Sequence, residues 1–449
     1  MKNGIKSPAM AVAAAFVLSG CGLLDVDNPN ALVEESIKLE AASNGVANGS
    51  LNRLSSAVSS IWEGYLVTSD ELFWIGSRDA WAQLDQGFIS NPENEFTDAA
   101  FPSLGTGVWM AQNAVDILTE HVGNNPGVAS FGKDLARAQL FNGIILMVTG
   151  EVQEDMTLSN KQVDGAPIGE TGMIVFFDRA ITNLDAAVTS FTALGETTLA
   201  TRARAVRARA HMSRAIWSRV HPNATVGGAL AWPAAVTDAN AVLASVGGSD
   251  WKYNLTYTAT IGSCSMCGNV NSRKENQIDQ SLVTLSSANN VTGIAINDPV
   301  SGVADLAFTS LLRQWKGGGA ITAAGDQYSP LTIVSERLLR LIVAEDALAG
   351  MNVAAFEAQI DAIRDLDSEV AFNSGGAGMP TDLAMLQHTR RVNTFMMGLR
   401  LADMYRWGLT DPTWAPTSDA VLRPGSMLPI TIVEIRANCH LNGQTCPTG

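Results

Sequence analysis

Apolar residues recur at three- and four-residue steps through several long stretches of this 449-residue chain, and that spacing confines the fold to packed amphipathic helices. Between Phe131 and Gly150, the residues Leu135, Ala138, Phe141, Ile144, Ile145 and Val148 fall on one helical face. Ile174, Phe177, Ile181, Leu184 and Val188 repeat the pattern, and further helices are predicted over 201–220, 305–315, 333–349, 354–366 and 382–407. Gly350 is placed to close the turn between 333–349 and 354–366. The helices come in pairs joined by short turns, the pattern of stacked helix-turn-helix units. Sequence identity between the pairs is too weak to mark a repeat on periodicity alone. Residues 223–330 and 409–449, rich in Gly, Ser, Asn, Thr or Pro, read as loops, and long connections on a rigid frame are where function concentrates.

Composition removes several classes of function. With 46% hydrophobic and 16% charged residues, the chain is neither a disordered polymer nor a charged coiled coil. Its formal charge of −15 repels nucleic-acid phosphates, and no basic stripe is long enough to reverse that.

The first 21 residues carry an address. Lys2 and Lys6 form a short positive region, and Ala9–Leu18 is apolar but too short to span a bilayer. Leu18-Ser19-Gly20-Cys21 follows and resembles the bacterial lipoprotein box. The resemblance makes 1–20 a signal peptide and Cys21 the acylated N-terminus, a palmitate-type anchor; Gly22 rather than Asp after it favours the outer membrane. Several acyl chains hold far more firmly than one.

Export places the remaining cysteines, Cys264, Cys267, Cys439 and Cys446, in an oxidising compartment, where an even number points to disulfides. Cys264 with Cys267 and Cys439 with Cys446 are the natural local pairings, although spacing alone does not settle connectivity. A zinc site drawn from these four and His440 is the sharper alternative, but adjacent ligands at 439 and 440 suit a tetrahedron poorly.

No motif for a nucleophile, a zinc hydrolase or a phosphate loop occurs, and His121, His211, His221, His388 and His440 fall in no metal-binding spacing. No cofactor is expected. A glycosidase carboxylate pair is set by folding and stays open as an alternative. For sugar binding the useful groups are aromatic rings that cover a pyranose face, with amides and carboxylates beside them. Trp251, Tyr253 and Tyr257 form one candidate platform; Trp74 and Trp81, within an aromatic run from Trp62, and Trp315 before Gly317 are others. Trp74 and Trp81 would share a face on one continuous helix, and Trp217 and Trp407 are assigned to the core. Arg202, Arg204, Arg207 and Arg209 read as partners for acidic residues of neighbouring helices, with an anion site as the alternative.

Several ordered motifs resemble one family. Leu24-Asp25-Val26-Asp27-Asn28-Pro29-Asn30 resembles the opening of SusD/RagB-family outer-membrane lipoproteins, and Asp70–Trp74 and Val108–Leu118 resemble its N-terminal helices. Arg202–Arg219, then Ser335–Glu345 with Gly350–Arg364, resemble its later helices. Arg390–Gly408, ending Arg406-Trp407-Gly408, and Leu428-Pro429-Ile430 with Glu434 and Asn438 are similar to its closing motifs. The chain departs from the pattern at His388–Asn393, where glutamates are usual, and at Thr431. The resemblance implies a mainly α fold of tetratricopeptide-like helix pairs with loop-rich insertions. Residues 21–449 would form one domain, with a helical-repeat scaffold at about 131–222 and 331–408, an insertion at 223–330 and an irregular tail at 409–449. It also implies a surface lipoprotein that binds oligosaccharide or peptide and delivers it to a TonB-dependent barrel of the SusC-like type, without catalysis. A lipid-anchored glycan-active enzyme and a helical scaffold for envelope proteins are the competing readings.

Overall fold

The computed structural model describes residues 34–160 and 163–446. The signal-peptide stretch, Cys21 and the Leu24–Asn30 motif lie outside the described residues. In chain order the main elements are α1 (Ser43–Thr68), β1 (Leu72–Trp74), α2 (Asp79–Asp85), α3 (Glu95–Asn124), α4 (Ala129–Val152), α5 (Ile174–Ala193), α6 (Thr197–Val220) and α7 (Pro233–Val246). Then follow β2 (Lys252–Leu255), β3 (Asn276–Ile278), β4 (Val283–Leu285), β5 (Val291–Ile294), α8 (Leu306–Trp315), β6 (Leu331–Ser335), α9 (Glu336–Ala349), α10 (Val353–Arg364), α11 (Asp382–Asn393) and α12 (Arg400–Trp407).

Each long helix packs on the next: α1 on α3, α3 on α4, α4 on α5, α5 on α6, α6 on α7, and α9 on both α7 and α10. This mainly α stack of helix pairs is the architecture the periodicity called for. One apolar cluster runs through most of it, from Leu54, Ile61 and Trp62 of α1 to Met404 and Tyr405 of α12. Helix starts are set by local chemistry. The Asn94 side chain accepts from the Phe96 and Thr97 N–H groups ahead of α3, and Ser335 accepts from Leu338 N–H ahead of α9. Among the described residues no helix is long and apolar enough to cross a membrane.

Four expectations are corrected. The predicted helix at 333–349 begins only at Glu336, because Ile333–Ser335 belong to β6, which pairs antiparallel with β2. The predicted 382–407 helix is two helices broken at 394–399, where Met396 (φ 58°) and Gly398 (φ 68°) adopt left-handed backbone. A Cβ on Gly398 would also lie 2.7 Å from Trp62 Nε1. The loop-rich stretch 223–330 contains the fourteen-residue α7, with Pro233 at its first turn. Asp70–Trp74 is no helix either: Leu72–Trp74 forms β1, paired with β3, and Trp81 sits on the separate α2, so Trp74 and Trp81 share no helical face.

The broken segment is clamped by two buried charged-type side chains. Arg209 of α6, fully buried, donates twice to Glu151 (2.9 and 2.8 Å) and once each to the Ile333 and Met397 carbonyls. Glu71 accepts from Met396 N–H at 2.9 Å. Burial pushes the Glu71 carboxyl up to about 8, with Asp70 adding to the shift. Downstream, Arg406 of the Arg-Trp-Gly motif bonds Glu345 and Asp403, and Gly408 ends α12 in a left-handed cap (φ 66°).

Candidate functional site

Beside the N-terminal part of α6 and the middle of α4, the helix stack and the β2 strand enclose a cavity of about 590 Å³, in the size range of small-molecule sites. α1 contributes Asn48, Leu51, Asn52 and Ser55 at helical spacing. α4 contributes Arg137, Leu140 and Phe141, α6 contributes Leu199 and Arg202, and β2 contributes Tyr253, Asn254 and Leu255. Thr256, Thr260 and Ile261 close the wall. Strict alternation would aim neighbouring Tyr253 and Asn254 at opposite faces. A register shift between them in the β2–β6 pairing lets both line the cavity.

The loop wall is pinned to α1. Tyr257 Oη donates to the Ser55 carbonyl at 2.8 Å, and Asn52 Nδ2 donates to the Ile261 carbonyl at 3.0 Å. Two rings in the cavity each lie beneath a guanidinium: Arg202 stands 5.1 Å from the Tyr253 ring centre and Arg137 stands 5.9 Å from that of Phe141. Burial pushes the Tyr253 hydroxyl up to about 12, while Arg202 and Arg137 both pull it back. The resulting chemistry is two ring systems, three amides, several hydroxyls and two cations, a set that recognises a hydroxyl-rich ring with hydrogen-bond donors and acceptors on every edge.

Of the aromatic sequence candidates, only Tyr253 lines this cavity. Tyr257 is core, its ring buried and its hydroxyl spent on Ser55. Trp251 is half-buried against the core beside β2 and lines none of the described hollows. Trp81 is buried and stacks on Phe96 with ring centres 3.9 Å apart, so it is a packing residue rather than a platform. Trp74 is half-buried on β1, with its indole N–H unpartnered. Trp315 is buried edge-on to Phe395 and borders a void of only about 50 Å³, too small for a sugar. None of these rings lines the Tyr253 cavity, because a ring's exposure depends on tertiary neighbours that spacing does not reveal. Trp217 and Trp407 are buried, as assigned.

Disulfides join Cys264 to Cys267 and Cys439 to Cys446. His440 lies close to the second pair, but bonded sulfurs leave no thiolate for the zinc alternative. The sequence reading passed over Asn48, Asn52, Arg137 and Phe141. One signal was present: Asn44, Asn48 and Asn52 recur every fourth residue, a polar stripe along α1. Two adjoining hollows of about 360 and 340 Å³, both bordered by Trp109, Met156 and Ser159, lie along α3, and the 20 Å³ void beside Tyr65, Glu151 and Trp217 holds at most one water.

No protein-family model matches the chain, and no curated protein matches it by sequence. Solved structures do match its fold. A SusD superfamily protein from Bacteroides vulgatus aligns at a TM-score of 0.60 with 12% identity, covering 91% of this chain and 98% of its own. A laminarin-binding SusD-like protein aligns at 0.54 with 12% identity, over 88% of this chain and 97% of its own. A protein crystallised with a xylogluco-oligosaccharide aligns at 0.53 with 12% identity, over 82% and 83%. At such low identity the likeness speaks for architecture, and over nearly the full described length it is consistent: the chain has the SusD-superfamily fold.

Proposed function

We propose that this chain is a glycan-binding lipoprotein that takes up an oligosaccharide in the Tyr253 cavity and hands it to a TonB-dependent outer-membrane barrel. The observation that carries the reading is the cavity itself: 590 Å³ lined by rings, amides, hydroxyls and arginines, on a fold shared with a laminarin-binding protein. No carboxylate lines the cavity among the described residues, which supports binding over hydrolysis, since glycosidases need a carboxylate pair across the scissile bond. The lipobox ending in Cys21 supports an anchor at the outer membrane, facing outward, and the motif series supports a SusC-like partner.

Two measurements test this. Calorimetric titration of the purified protein with a panel of plant, algal and host oligosaccharides is expected to find at least one ligand, with affinity lost in Tyr253→Ala. Purification of the tagged, lipidated protein from mildly solubilised outer membranes is expected to recover a stoichiometric TonB-dependent barrel. Binding without a barrel would leave a glycan receptor and remove the uptake role; recovery of other envelope proteins without any glycan would favour the scaffold reading.

A further inference from the structure

Arg202, Arg204, Arg207 and Arg209, in the first half of α6 and at its middle, have different fates. Arg207 bonds Asp238 in bidentate fashion (2.7 and 2.6 Å) and Asp185 at 2.6 Å. Arg204 stands 4.0 Å from Asp238, and Arg209 is locked to Glu151. Arg202, half-buried at the cavity wall, faces only the Tyr253 ring and pairs with no carboxylate among the described residues. Arg137, also on the cavity wall, has one carboxylate, Asp134 at 3.0 Å, and donates from Nη2 to Asn48 Oδ1.

Among the described residues, two guanidinium groups and no acidic side chain line the cavity, inside a protein with 44 acidic and 29 basic residues. An acidic chain has ample carboxylate to neutralise Arg202, as it does for Arg204, Arg207 and Arg209, yet none reaches it. The Tyr253 ring, 5.1 Å from the guanidinium carbon, attracts the cation to this wall, and a planar guanidinium pairs with a carboxylate through two parallel hydrogen bonds. Desolvation inside a half-enclosed site strengthens that pairing relative to bulk water.

Resting on the glycan-binding reading, we infer that the ligand of the Tyr253 cavity is an acidic oligosaccharide, whose uronate carboxylate pairs with Arg202 while its hydroxyls meet Asn48, Asn52 and Asn254. The neutral amides read the sugar ring and the guanidinium reads its charge. Arg137, already shared with Asp134, supplies long-range attraction and a rim donor rather than the primary bond.

The test is calorimetry on the detergent-solubilised full-length chain with uronate oligosaccharides (oligogalacturonate, oligoalginate and a glucuronate-containing oligomer), each paired with its carboxyl-reduced neutral form. Sulfated galactan oligomers and neutral β-glucan oligomers complete the set. The expected result is that one uronate oligomer binds about tenfold or more tightly than its reduced form, that the preference shrinks at high salt, and that Arg202→Gln brings the two forms within about twofold. Arg202→Lys should restore part of the preference, because it keeps the charge and loses the fork. Thermal unfolding of both variants checks that the fold is intact. If every acidic oligomer binds no better than its neutral form, or if the preference survives Arg202→Gln, the inference is overturned while glycan binding stands. Tighter binding of sulfated oligomers than of uronates would also overturn it. If no oligosaccharide of any kind binds, the underlying glycan reading is what fails.

Discussion

Arg202 and Arg209 lie two helical turns apart on the same stripe of α6, yet they serve opposite ends. Arg209 is sealed and saturated, holding α4, β6 and the 394–399 turn together through Glu151 and two backbone carbonyls. Arg202 is left with an aromatic ring and an open cavity. A guanidinium with four hydrogen bonds inside the protein organises the fold; one that meets only a ring leaves its donors open to a ligand. The same residue type, seven positions along one helix, differs because the Glu151 carboxylate reaches Arg209, while among the described residues none reaches Arg202.

The largest expected effect falls on the strut. Arg209→Met leaves Glu151 buried without its cation and frees the Ile333 and Met397 carbonyls, at an expected cost of about 4 kcal/mol in urea unfolding. A loss below about 1 kcal/mol would break the contrast by showing that the node organises little. The double variant Arg209→Met with Glu151→Leu should recover much of the loss, since it removes the orphaned charge as well.

Glu71 sharpens the comparison from the other side of the same turn, because it holds Met396 while protonated. Its carboxyl titrates near 8 in the folded protein and near the ordinary 4.5 when unfolded, so the folded state keeps a proton that the unfolded state has released. Stability is therefore lost as pH rises from about 4.5 to 8 and is flat above that. Glu71→Gln should make the pH profile of unfolding flatter by ~4 kcal/mol between pH 5 and 9. An unchanged profile would show that Glu71 does not carry this dependence. Glu63, raised to about 7 by burial despite hydrogen bonds from Asn269 and Asn276, leaves a smaller slope of the same sign.

Tyr257→Phe removes one hydrogen bond from the cavity wall to Ser55 and should cost about 1 kcal/mol by thermal or urea unfolding, with weaker glycan binding. Smallest of all on stability is Arg202→Gln, expected within about 0.5 kcal/mol of the parent. A larger destabilisation would make Arg202 a second strut and erase the distinction.

The helices were legible wherever one face is strongly apolar and the other is not, as at Ile174–Ala193. β6 merged with α9 because Leu331, Ile333 and Val334 extend the apolar run of the helix without a visible stop. The break after Asn393 showed only Gly398 on paper; the left-handed Met396 is imposed by Glu71 and Arg209, which are remote in sequence. α7 went unseen because its alanines give a weakly amphipathic stripe. In the candidate site, Tyr253 was readable and its companions were not. Arg137, Phe141 and the α1 asparagines come from helices far apart in the chain, and only packing brings them to one wall. Arg202, Arg204, Arg207 and Arg209 read as ion-pair partners, and all but Arg202 are.

The wall running from Thr256 to Ile261 is the part of the cavity built without a helix, and it is fastened at fixed points. Tyr257 fastens it to Ser55, Asn52 fastens its far end, and the Cys264–Cys267 disulfide closes the next turn. The stack of helices that carries the apolar core passes behind it unbroken. A substitution between these fastenings therefore reshapes one wall of the cavity while the groups presented by α1, α4, α6 and β2 keep their places.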